Sequence, residues 1–189
     1  YAFALPWVRW SQPQKSGDRP TTGAELVTHA WGRAGTRKGW NGPGSLIAYT
    51  RKALRQSKTN PKHDTEKPLD LMLDMVSWFS NPGETVFDPC AGAGTTGLAC
   101  RLLGRSFWGC ELIEKWASVA TARLTGSLSE RDLERVSRWL TSTREEARGV
   151  LALKPHPKGA DKKTRARAER RLADADTVER AATLLRRAA

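Results

Sequence analysis

The run Phe87-Asp88-Pro89-Cys90-Ala91-Gly92-Ala93-Gly94-Thr95-Thr96-Gly97 constrains this chain more than any other stretch. The segment Glu84–Asp88 leads into it as a short buried strand. The pattern of Gly94–Leu103 leads out of it as a helix stopped by Gly104. A second short buried strand, Ser106–Cys110, and a further helix, Ile113–Leu124, follow directly. Strand, helix, strand, helix predicts a βαβα unit with parallel strands and a right-handed crossover. Gly92, Gly94 and Gly97 satisfy Gly-x-Gly-x-x-Gly, and each part of that turn has a physical use. Glycine lets the backbone take positive φ and approach a ligand without a Cβ clash. The helix start offers N–H groups and the positive end of its dipole to an anionic group. Glu111, 19 residues after Gly92 at the tip of the second strand, can accept both hydroxyl protons of a ribose.

This geometry admits a dinucleotide such as NAD. It equally admits S-adenosylmethionine (SAM), whose carboxylate takes the pyrophosphate's place by the helix end. A tight turn with no ligand is the plainer alternative. Two features favour SAM. Asp88-Pro89 ends the first strand just before the glycines, and a carboxylate there can bind the amino group of SAM while repelling a pyrophosphate. An NAD fold also needs further α/β units downstream, where residues 127–189 offer charged helices.

Charge divides the chain into three. Residues 1–66 carry 11 basic and 4 acidic side chains (net +7), residues 67–149 carry 10 and 11 (net −1), and residues 150–189 carry 11 and 5 (net +6). The near-neutral middle suits a buried core. The basic flanks suit contact with a polyanion, or simply solubility. Three cysteines without a Cys-x-x-Cys (Cys90, Cys100, Cys110) argue for a reducing compartment and against a disulfide scaffold. His29, His63 and His156 lie far apart, so no metal site is expected. No stretch is apolar enough to span a membrane. The first residues have no basic run ahead of their apolar ones and do not read as a signal peptide.

Residues 1–10 and 24–31 read as two strands of a long hairpin joined by the turn-rich Ser11–Gly23. The glycine-rich 32–44 is a loop, and Ser45–Arg55 reads as a short helix. Residues 67–80 read as a helix with Pro68 in its first turn and Leu69, Leu73 and Val76 on one face. Ser129 and Asp132 form a weak capping signal for a helix carrying Leu133, Val136 and Leu140. A separate short helix is expected over 143–153, then a linker at 154–159. Residues 161–187, rich in Ala and Arg, are helical, if only when bound.

Lys67-Pro68-Leu69-Asp70-Leu71, Asn81-Pro82-Gly83, Asp88-Pro89-Cys90-Ala91-Gly92-Ala93-Gly94-Thr95-Thr96 and Gly109-Cys110-Glu111, in this order, resemble the amino-group DNA methyltransferases. These are bacterial and phage enzymes that methylate adenine N6 or cytosine N4. The order is that of their permuted β group, in which the cofactor half follows the catalytic half. Cys90 departs from the usual Phe and Ala93 from the usual Ser. The resemblance covers roughly residues 1–125. It implies an α/β fold: a Rossmann-like SAM-dependent methyltransferase sheet with an antiparallel hairpin, followed by a helical basic tail. Residues 1–126 would form the C-terminal part of a methyltransferase domain, with hairpin and recognition loop at 1–66 and the SAM-binding unit at 67–126, and 127–189 the tail.

The resemblance implies SAM as cofactor, with Asp88 on its amino group and Gly92 and Gly94 in close backbone approach. Thr95 and Thr96 would lie by its carboxylate and Glu111 on its ribose. Pro89 and Cys90 would wall the pocket, and Thr65, Lys67 and Pro68 would pack beside the cofactor. Double-stranded DNA would be the partner, met in the cytoplasm by Arg9, Lys15, Arg19, Arg33, Arg37 and Lys38 around the hairpin turn and glycine loop. In the tail, Lys162, Lys163, Arg165, Arg167, Arg170 and Arg171 suit either a non-specific DNA arm or a solvated helix face.

The family polarises the target nitrogen with an Asp- or Ser-Pro-Pro-Tyr loop, and no such sequence occurs here; Ala4-Leu5-Pro6-Trp7 imitates it poorly. No catalytic residue is therefore assigned to this chain. The expectation is a truncated methyltransferase, its catalytic loop upstream of Tyr1 or in a second chain, which binds SAM with little or no turnover alone. A non-catalytic DNA-binding module with a degenerate cofactor fold is the alternative, followed by an NAD-dependent oxidoreductase.

Overall fold

The computed structural model describes the backbone of residues 2–8, 24–30, 49–50, 66–153 and 162–187, with side chains over 66–153 and 162–186. The chain divides into two compact units, Tyr1–Asn60 and Pro61–Ala189. In the first, β1 (Ala2–Val8) is the middle strand of three. It pairs antiparallel with β2 (Ala24–Ala30), from Ala2 opposite Ala30 to Val8 opposite Ala24. On its other side it pairs parallel with β3 (Tyr49–Thr50), Trp7 meeting Tyr49 and Val8 meeting Thr50. The helix expected over Ser45–Arg55 is corrected here: an aromatic and a β-branched residue extend to use the free edge of β1.

The second unit begins with α1 (Leu69–Phe79), for which Pro68 is the N-cap rather than a first-turn residue. Then come β4 (Thr85–Asp88), α2 (Thr95–Leu103), β5 (Ser106–Gly109) and α3 (Glu114–Thr125). β4 and β5 pair in parallel, with Thr85 opposite Ser106 and Asp88 opposite Gly109. α2 is delimited as its sequence demands. Gly94 and Gly104, both left-handed at φ +74° and +68°, flank it. The strands are less buried than expected. Val86 and Phe107 pack on the core, while Phe87 and Trp108 are 61% and 73% exposed. The pleat explains the split, because alternate side chains of two short paired strands face opposite ways.

Two long helices complete this unit, α4 (Glu130–Ala152) and α5 (Lys162–Arg187). α4 opens on the expected cap: the Ser129 hydroxyl accepts from the Asp132 N–H at 3.1 Å and donates to the Asp132 carboxylate at 2.8 Å. It then runs unbroken to Ala152, so the separate short helix expected over 143–153 is corrected. The helical stripe Val136, Trp139, Thr143, Ala147 stays buried along it and leaves no cause to break.

The hydrophobic core is shared by α1, α2, α4 and α5. It includes Leu69, Leu73, Val76, Leu98, Leu102, Val136, Trp139, Ala175 and Val178. α1 is consequently buried on nearly all sides, not on one face, and this includes Asp70, Asp74 and Ser77. The tail is part of this core, which corrects the reading of Arg170 and Arg171 as members of a DNA arm or a solvated face. Arg171 lies over the rings of Trp139 and Trp78, with centroids 5.1 and 5.8 Å from its guanidinium carbon, and it pairs with Asp74 at 2.6 Å. Arg170 donates to Asn81 at 2.6 Å and to the Ser80 carbonyl at 2.9 Å. Arg105, fully buried, pairs with Asp174 of α5 at 3.0 Å. These buried cations persist because each has a buried anion or carbonyl to meet.

Candidate functional site

The site forms where β4 and β5 end side by side. Their parallel register puts Asp88 opposite Gly109, and Glu111 follows two residues beyond. The chain leaving β4 then bends through Gly92 and Gly94, at φ +54° and +74°, into α2. Both carboxylates are held by the turn itself. Asp88 accepts from the Cys90 N–H at 3.0 Å and from the Thr96 hydroxyl at 2.7 Å. Glu111 accepts from the Gly92 N–H at 2.8 Å and the Ile113 N–H at 3.0 Å. The loops are further laced by Ala91 N–H to the Cys110 carbonyl and Cys110 N–H to the Asp88 carbonyl. Two acids at neighbouring strand tips, each oriented by two donors, are fixed on either side of one turn.

The two threonines have separate duties. Thr96 steadies Asp88, whereas Thr95 is buried and its hydroxyl oxygen accepts from Arg123 at 3.0 Å. The N-cap of α2 is Gly94, which has no side chain to cap it, so among the described residues the first N–H groups keep their dipole end open. Gly94 and Gly97 also serve the packing. A Cβ on Gly94 would sit 2.9 Å from the Cβ of Ala120, and one on Gly97 would sit 2.7 Å from the Phe107 ring. Those two glycines let α3 and β5 close on α2, whatever the turn binds.

Cys90 and Cys110 are exposed beside the turn, while Cys100 is buried on α2. Burial pushes the Cys100 thiol up to about 12, with Arg105 pulling it down and Asp88 raising it further. Lys67 is exposed and Pro68 half-buried at the head of α1. Thr65, and with it Arg9, Lys15, Arg19, Arg33, Arg37 and Lys38, lies outside the described residues.

Arg123 and Glu66 carry no sequence expectation, and Asp132, expected as part of the α4 cap, is not expected to reach the turn. Arg123, in the last turn of α3, donates to the Ala93 carbonyl at 3.2 Å and pairs with Glu66 at 3.1 Å and Asp132 at 2.7 Å. The available signal is Arg123 three residues after Ala120, which puts both on one face of α3. Among the described residues no cluster of His, Cys, Asp and Glu could hold a metal, and no helix is long and apolar enough to cross a membrane.

A family model described as DNA methylase matches residues 5–122. Type II methyltransferase M.HinfI of Haemophilus influenzae is 35% identical over 71 residues, 38% of this chain and 20% of its own length. YubD of Escherichia coli strain K12, named a candidate methylase, is 37% identical over 65 residues, 34% of this chain and 29% of its own. The crystal structure of an M1.HpyAVI–SAM complex superposes with a TM-score of 0.54 at 30% identity, covering 65% of this chain and 61% of that one. The chain thus spans less than a third of either curated relative.

Proposed function

This chain belongs to the DNA methylase family, and from that premise we propose that its glycine turn binds SAM for methyl transfer to an exocyclic amino group of DNA, adenine N6 or cytosine N4. The observation that carries the reading is the pair of braced carboxylates, Asp88 and Glu111, flanking a left-handed glycine turn at an uncapped helix start. This donor set fits SAM. Asp88 offers an anion for the amino group, the start of α2 offers N–H groups for the carboxylate, and Glu111 offers acceptors for the ribose hydroxyls. An anion at Asp88 disfavours a pyrophosphate, so NAD fits less well. The SAM complex of M1.HpyAVI supports the same choice.

SAM, when bound, supplies a methyl group on a sulfonium centre. This chain's residues bind and orient it: Thr96 and the Cys90 N–H fix Asp88, and the Gly92 and Ile113 N–H groups fix Glu111. The basic side chains Arg9, Lys15, Arg19, Arg33, Arg37 and Lys38 would meet duplex phosphates. These 189 residues hold no Pro-Pro-aromatic sequence that would polarise the target nitrogen, so the reading gives this chain cofactor binding and expects slow turnover, or none, from it alone. A non-catalytic DNA-binding module is the second reading, favoured by the lack of that loop sequence.

Titration calorimetry tests the site. Heat with SAM and none with NAD is the expected result; the reverse overturns the reading. Adding a segment that carries the loop, with duplex DNA and labelled SAM, separates the two functions. Restored methylation supports the enzyme, and binding without transfer supports the module.

A further inference from the structure

We propose that Arg123 is the positioning residue of the cofactor turn, a role that rests on the SAM reading above and names the residue through which the downstream helices support it. The Ala93–Gly94 peptide lies at the centre of the bend and is pinned from both sides. Its carbonyl accepts from Arg123, and its N–H donates to the Ala91 carbonyl at 2.8 Å. A peptide is planar, so fixing both polar groups fixes the orientation of the whole unit. The next residue is held too, because the same Arg123 nitrogen donates to the Thr95 hydroxyl oxygen at 3.0 Å. One helical turn back, Ala120 fills the space that the missing Gly94 side chain leaves. α3 therefore grips the turn by shape at Ala120 and by charge at Arg123.

The grip is oriented from behind. Glu66, in the segment leading to α1, and Asp132, in the first turn of α4, hold the guanidinium from two further parts of the chain. Arg131 adds a second cation to Glu66 at 3.5 Å, and Ser129 binds the Asp132 carboxylate. Arg123 and Asp132 are mostly buried, with side chains 15% and 7% exposed. The two Nη groups reach a carbonyl, a hydroxyl and two carboxylates, Nη1 sharing its two hydrogens among Glu66, Ala93 and Thr95 while Nη2 meets Asp132; a lysine ammonium, one point charge, cannot hold both positions at once. The residue touches no reacting atom. It acts through the turn, and it couples the start of the helical tail to cofactor affinity.

The test uses the full chain with Arg123→Gln, Arg123→Lys and, as a control of matched stability loss, Val178→Ala in the α5 core. SAM dissociation constants come from calorimetry, and amide exchange at Ala93–Thr96 is followed without ligand. Arg123→Gln should weaken SAM binding by about tenfold or more, the scale of a lost charged hydrogen bond. It should also speed exchange at the turn, while Val178→Ala does neither. Arg123→Lys should recover the melting temperature better than the affinity. Unchanged affinity in Arg123→Gln, or an equal loss in Val178→Ala, overturns the role while leaving the SAM site standing. Wild-type protein that gives no heat with SAM overturns the site and the role together. Should Arg123→Gln not fold, Glu66→Gln keeps the guanidinium but loosens its hold, and it should weaken SAM binding several-fold; no change overturns the role.

Discussion

Replacing Asp74 by alanine tests whether the C-terminal helix is part of the fold. Asp74 is 1% exposed and one of its oxygens receives two donors, Arg171 at 2.6 Å and the Trp139 indole N–H at 2.7 Å. Removing it strands a guanidinium that is 11% exposed, leaving Ser77 and Thr143, at 3.2 Å each, as its hydrogen-bond partners among the described residues. Breaking a buried pair from one side costs about 3–5 kcal/mol. For a chain of this length that lowers the melting temperature by about 6 °C or more. Urea denaturation followed by far-ultraviolet circular dichroism measures the loss. The double variant D74L/R171M removes both charges and should recover at least half of it, because apolar replacement of a whole buried pair is close to neutral. A loss under about 1 kcal/mol in Asp74→Ala, well short of what a stranded buried charge costs, would refute the argument that α5 is held by internal charge rather than solvated.

Three further outcomes are expected. Gly94→Ala combines a left-handed backbone with a Cβ contact at 2.9 Å, so it should cost about 2 kcal/mol or more and weaken SAM binding. Adding Ala120→Gly should relieve the contact but not the backbone strain, giving partial recovery in thermal melts. In the native protein a disulfide-exchange reagent should titrate exposed Cys90 and Cys110 promptly, and Cys100, with its thiol pushed up to about 12, only after unfolding. The Glu179 carboxyl is held below its usual range by hydrogen bonds from Arg144 and then by its charge. Its contribution is therefore present above the unfolded pKa and lost as pH falls through the lower folded value. Glu179→Gln should flatten the acid limb of a plot of melting temperature against pH.

The site is legible in the sequence because its determinants are local. Gly94 and Gly104 mark both ends of α2, Ser129 marks the start of α4, and Asp88 and Glu111 stand at fixed spacings from the glycines. Residues whose role depends on distant partners are not legible. Asp74 and Ser77 read as the polar side of an amphipathic α1 because nothing nearby says that Trp139, Arg171 and Asp174 will cover them. β3 reads as helix because its extension is set by the edge of β1, over forty residues away. Arg123 escapes notice because a lone arginine late in a helix is ordinarily solvated, and here its four partners come from three separate places in the chain.

The same limit governs what can be inferred from net charge. Residues 150–189 carry a net +6, which counts as a DNA-seeking arm only if the cations face outward. Arg171 is spent on Asp74, and Arg170 on Asn81 and Ser80. Arg165 binds the Leu151 and Leu153 carbonyls at the end of α4, where a cation favours the negative pole of the helix. Of the six cations that the sequence groups as an arm, Lys162 and Lys163 remain exposed and Arg167 half-buried. Phosphate contacts release counterions one cation at a time, so on the proposed DNA-binding reading this helix would add less to the salt dependence than its charge count implies. Arg165, Arg170 and Arg171 act inward, on α4, on the residues that end α1 and on α1 itself, while Asp174 ties α5 through Arg105 to the end of α2, the helix that begins at the cofactor turn.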